Sequence, residues 1–205
     1  MGRIEGTIPT ELGKLTSLRR LNLSHNLLTG TIPEEVLALP QLVSVRLGMN
    51  NLTGGFPYFV SSNLELLSVE GNRFAGTLPE KIMDAYPGII ELDLSSNAFT
   101  GILPEDLCLL TSLNKLNLSF NRFHGLIPHD IGSLTNLEGL FLNDNNLYGP
   151  IPSTLAKAGM KLMQVFLQHN SLSGTIPGAF SEIHSLRDFF VDGKESVSFK
   201  PMSHS

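Results

Sequence analysis

Residues 18–41 read LRRLNLSHNLLTGTIPEEVLALPQ, and the chain rewrites that sentence six more times. The later copies open at Leu42, Leu64, Ile89, Leu113, Leu137 and Leu162, and the last closes at Ser185. Their shared frame is L-x-x-L-x-L-x-x-N-x-L-x-G-x-I-P-x-x-L-x-x-L, about 24 residues long. Self-similarity at this period marks stacked units, none of which buries its apolar face alone.

Each part of the frame has a physical reading. Leu18, Leu21 and Leu23 open the first copy, alternating apolar and polar residues as a strand does. Eight residues after each opening apolar residue stands an asparagine: Asn26, Asn50, Asn72, Asn97, Asn121, Asn145 and Asn170. An amide offers two donors and an acceptor, so at a sharp turn it can bond the backbone of its own coil and of the next. Left buried without partners it would cost roughly 1–3 kcal/mol, so seven in register imply a satisfied ladder. The glycines (Gly101, for example) permit a turn, and three residues later a proline (Pro104) fixes its own φ and extends its apolar predecessor (Leu103). Apolar residues three apart, such as Val36 and Leu39, then predict a short helical return. One unit is a strand, a turn, an extended arm and a return, with its apolar groups aimed at one axis.

This frame resembles the leucine-rich repeat, and its L-x-G-x-I-P half is similar to the plant-specific subtype. That subtype is typical of ectodomains of plant receptor-like kinases and receptor-like proteins, and of polygalacturonase-inhibiting proteins. The resemblance runs from Ile4 to about Val191. It implies an α/β repeat solenoid, right-handed, with a concave parallel sheet of about eight short strands and 3₁₀ or helical returns on the convex side. The expected organisation is a single domain over 1–205: a partial repeat in 1–17, seven repeats in 18–185, and a partial repeat with a mobile tail in 186–205. The chain starts in mid-coil, and the cysteine-paired caps usual in the subtype are absent, which leads us to expect a fragment. Cys108 is the single cysteine, so no internal disulfide is expected, and it reads as a surface or shallow-core thiol.

A net charge of −5 and a pI near 5.6 argue against nucleic acid as a partner. Apolar runs are short, so no membrane span is expected within this chain. The six histidines are scattered without metal-ligand spacing, and neither a phosphate loop nor a G-x-S-x-G elbow occurs. The expectation is therefore a protein without catalysis, cofactor or metal. His25 and His169 read as concave positions, and His129-Asp130 as a solvated pair on a return.

The outward strand positions form columns. One runs Asn22, Arg46, Ser68, Asp93, Asn117, Phe141, Phe166, Phe190; two places on, another runs Ser24, Gly48, Glu70, Ser95, Ser119, Asn143, Gln168, Asp192. With strands about 4.8 Å apart, three phenylalanines would stand side by side on the open face, and Phe120 would extend them diagonally. Contiguous exposed aromatics mark binding surfaces. Arg19, Arg20 and Arg46 lie at the other end, and Glu65, Glu70, Glu91 and Asp93 form an acidic middle. The partner-binding set is thus Phe120, Phe141, Phe166, Phe190, Arg46, Glu70 and Asp93. Glycosylation sequons stand at Asn22, Asn51 and Asn117.

The resemblance implies a protein or peptide ligand, a co-receptor as a further partner, and an extracellular or cell-surface location, with a cytoplasmic location as the alternative. The leading function is the ligand-binding stretch of a receptor-like protein or kinase. The alternatives are a soluble inhibitor of a cell-wall hydrolase and an intracellular scaffold.

Overall fold

The computed structural model describes residues 3–157 and 159–191. The expected solenoid is present, with an inner sheet of eight parallel strands: Arg20–Asn22, Ser44–Arg46, Leu66–Ser68, Glu91–Asp93, Lys115–Asn117, Gly139–Phe141, Gln164–Phe166 and Asp188–Phe190. Strand follows strand in chain order, one coil apart, as a stack of units in contact only with their neighbours requires.

A second eight-stranded parallel sheet was not foreseen. It is built by the arm after each asparagine: Glu5–Thr7, Leu27–Gly30, Asn51–Gly54, Arg73–Thr77, Ala98–Gly101, Arg122–Gly125, Asn146–Pro150 and Ser171–Ser173. The returns are single turns, mostly 3₁₀, such as Glu105–Leu109 and His129–Ser133; all but Ile82–Ala85, which follows Lys81, are entered from a proline with φ between −74° and −52°. Between the two sheets and the returns lies one continuous core. Phe74, Phe99 and Phe123 form its spine, stacked at 6.4 Å from coil to coil. Cys108 belongs to this core. Burial, followed by the nearby carboxylates of Glu105 and Asp130, pushes its thiol up to about 12.

The asparagine ladder is complete, but it points backward: each amide reaches its own coil and the preceding one. Asn121 accepts the Phe99 N–H (3.0 Å) and donates to the carbonyls of Leu94 (3.0 Å) and Leu118 (3.2 Å). Asn145 repeats this with Phe123 N–H, Leu118 and Leu142, and Asn97 with Phe74 N–H, Val69 and Leu94. Asn50, Asn72 and Asn170 follow the same pattern, while Asn26 accepts the Ile4 N–H and donates within its own coil, to Leu23 and Ser24. The residue before each ladder asparagine is left-handed: His25, Met49, Gly71, Ser96, Phe120, Asp144 and His169 all have φ between 53° and 62°. Only one is glycine, so the ladder and its turn hold six side chains in a conformation costing roughly 1–2 kcal/mol each.

One coil departs from the frame. Between Gly54 and Leu66 there is no helical return. The backbone groups left over are taken by Tyr86 of the next coil, fully buried, which donates to the Pro57 carbonyl and accepts the Phe59 N–H at 3.3 Å. Burial holds the Tyr86 phenol well above its ordinary value, outweighing the Phe59 bond.

Candidate functional site

Strand register places the first outward column as the sequence reading has it. Asn22 pairs with Arg46, Arg46 with Ser68, Ser68 with Asp93, and Asp93 with Asn117. Asn117 then pairs with Phe141, Phe141 with Phe166, and Phe166 with Phe190. The three rings meet edge to face, with centroids 5.1 Å and then 4.7 Å apart. Such pairs add about 0.5–1.5 kcal/mol each beyond burial, so the row is a preformed unit. The Phe141 ring folds back over Gly139, 2.7 Å from where a side chain there would begin. That missing side chain makes the notch that seats the row. Beside it Gln164 donates to Asp188 at 2.9 Å. The side-chain oxygen of Gln168 is buried with no partner among the described residues.

Phe120 does not join this row. It occupies the left-handed turn beyond the strand Lys115–Asn117, exposed and without a ring contact to Phe141. Its strained backbone carries no functional meaning, because the same position is left-handed in every complete coil. His25 and His169 likewise stand in that turn rather than on the strands; His169 meets Asp144 at 2.8 Å.

The acidic middle is partly consumed within the protein. Asp93 is only 7 % exposed and accepts from Ser95 N–H (3.1 Å), Ser95 Oγ (2.6 Å) and Asn117 Nδ2 (3.0 Å). Lys115 reaches Glu91 at 3.1 Å and Asp93 at 3.5 Å. Burial pulls the Lys115 ammonium down, but these two carboxylates outweigh it and hold its pKa above the ordinary range. Glu70 accepts from Ser68 and lies over Gly48, in the space a side chain there would fill. Asp93 is therefore floor rather than free contact, while Arg20, Arg46 and Glu65 remain exposed. Asp192 and the expected tail lie outside the described residues.

The sequons divide into two kinds. In Asn22-Leu23-Ser24 the asparagine oxygen accepts the Ser24 N–H (3.1 Å) and hydroxyl (2.7 Å), and Asn117-Leu118-Ser119 does the same. Asp93-Leu94-Ser95 makes identical bonds with a residue that no glycan can occupy. At these places the motif also shapes the turn. Asn51 is different: it stands exposed on the outer sheet.

Among the described residues no cluster of three or more His, Cys, Asp or Glu is placed to hold a metal ion. No helix there is long and apolar enough to cross a membrane.

The leucine-rich repeat family models match residues 17–39, 62–123, 136–158 and 161–183, together more than half of the chain. Among curated proteins, the chain is 48% identical over 48 residues to the putative kinase-like protein TMKL1 of Arabidopsis thaliana, covering 23% of this chain and 7% of the relative. It is 42% identical over 53 residues to the brassinosteroid LRR receptor kinase of Solanum lycopersicum, covering 26% and 4%. Among solved structures it is similar to the plant peptide hormone receptor RGFR1 in complex with RGF2, with TM-score 0.86 and 32% identity over 94% of this chain and 30% of that one. It is also similar to the Arabidopsis HAESA ectodomain bound to an IDA peptide hormone, with TM-score 0.83 and 31% identity over 91% and 32%. The chain thus spans about a third of these ectodomains and less than a tenth of the curated relatives.

Proposed function

The chain belongs to the leucine-rich repeat family, and we propose that it is a non-catalytic recognition module, the ligand-binding stretch of a plant receptor-like ectodomain at the cell surface. Its ligand is a peptide or a protein segment lying across the inner sheet, and a co-receptor would share that ligand. The observation that carries this reading is the preformed Phe141–Phe166–Phe190 row, on the same sheet as the exposed guanidinium of Arg46. An apolar anchor at one end and a cation at the other give a bound chain both affinity and direction. The solved neighbours RGFR1 and HAESA, which hold peptide hormones, support the same class of ligand.

The test is a selection from a displayed random-peptide library against the whole chain, followed by titration calorimetry with the peptides recovered. Phe141→Ser/Phe166→Ser should weaken them by at least about tenfold, while thermal unfolding shifts little. Peptides that bind the double variant as tightly as the parent would overturn the assignment.

A further inference from the structure

A second apolar surface lies on the outer flank, away from the inner sheet. Ile102 is 61 % exposed, Leu126 55 % and Tyr148 53 %. Ile102 and Leu126 hold the same place in the frame, just after the glycine, and Pro150 holds it in the next coil; in earlier coils that place is Thr31, Gly55 and Thr77. Each side chain leans over the next coil's glycine. Ile102 Cγ2 comes within 2.9 Å of where a side chain on Gly125 would begin, and Leu126 Cδ2 within 2.4 Å of the same point on Gly149. The glycines let these groups lie along the stack, so they form a continuous ridge, and large exposed apolar surface of this kind marks an interaction site.

Charge is ordered across the ridge. Exposed Arg122 stands four residues before Leu126, and exposed Asp130 four residues after it; exposed Glu105 stands three after Ile102. Asp130 also touches His129 at 3.0 Å, with both side chains in solvent. From the outer strand through the ridge to the return the order is thus basic, apolar, acidic.

We propose that this flank docks a second copy of the chain about a twofold axis running along the ridge. Such an axis reverses the transverse order. Arg122 of each copy then lies over the Asp130 and Glu105 side of the other, while the ridges pack together as an isologous contact requires. A twofold axis across the ridge would set basic on basic, so the charge order selects one geometry. Only a few exposed apolar side chains meet there, so the dimer is weak.

Sedimentation equilibrium of the full chain tests this. The parent should show a concentration-dependent dimer in the micromolar range. R122E and D130R should each weaken it by at least about tenfold, because like charges then face each other twice. An equimolar mixture of the two variants should dimerise more tightly than either alone, since positions 122 and 130 again meet as opposite pairs on both sides, with the R122E side chain over Glu105 keeping it somewhat below parental strength. L126D should be monomeric with an unchanged melting profile. A monomeric parent, a dimer indifferent to these changes, or a mixture no tighter than its parts would each overturn the proposal.

Discussion

Replacing Asn121 with leucine, a side chain of similar volume, probes the ladder at its most buried stretch. The structure shows which groups lose a partner. The Leu94 carbonyl accepts from both Asn121 (3.0 Å) and Asn97 (3.1 Å), and the Leu118 carbonyl from both Asn121 (3.2 Å) and Asn145 (2.9 Å). Each therefore keeps one donor. The Phe99 N–H has no second acceptor among the described bonds and is buried. One orphaned donor costs about 1–3 kcal/mol, and the two shared bonds add about 0.5–1.5 kcal/mol each, for a loss of roughly 2–6 kcal/mol. Sharing also predicts coupling. In Asn97→Leu/Asn121→Leu the Leu94 carbonyl loses both donors, so the double variant should lose about 1 kcal/mol or more of stability beyond the sum of the two single losses. Asn26→Leu with Asn121→Leu, four coils apart, should simply add. Equilibrium urea unfolding followed by circular dichroism measures all of these. Strict additivity for Asn97 with Asn121 would refute the shared-carbonyl account.

Other consequences can be checked on the same protein. Tyr86→Phe strands the Pro57 carbonyl and the Phe59 N–H where the helical return is missing, and should lower stability by about 1–3 kcal/mol in a urea melt. Gly139→Leu fills the notch under Phe141, and should tilt the aromatic row and weaken selected peptides without unfolding the chain. Cys108 has a folded pKa raised from 9.0 to about 12, so the folded state holds its proton more tightly than the unfolded chain. Its contribution is fully present below pH 9 and is lost as pH rises toward 12. Stability measured across that window should fall, and the fall should be shallower in Cys108→Ala.

Much of this was legible in the residues because a solenoid makes distant neighbours out of equal frame positions. The inner sheet, its columns and the ladder all follow from counting, and Phe141, Phe166 and Phe190 line up for that reason. The outer sheet was not legible: segments such as Arg122–Gly125 are short, carry glycine, and pair only with a coil about 24 residues away. Repeat periodicity also hid its own exception, since the missing return after Gly54 is repaired by Tyr86 from the next coil. At the binding face, column position says which way a side chain leaves the sheet and not what it meets. Asp93 therefore reads as a free carboxylate, although Ser95, Asn117 and Lys115 already engage it. Nor does the sequence show that Asn22 and Asn117 already bond Ser24 and Ser119 through their side-chain oxygens.

Ring signals report the binding face most directly. With phenylalanine and tyrosine rings labelled for NMR and a library-selected peptide titrated in, Phe141, Phe166 and Phe190 should shift while Tyr148 on the outer flank stays still. Shifts confined to Tyr148, with the three phenylalanines unmoved, would contradict recognition through the inner sheet.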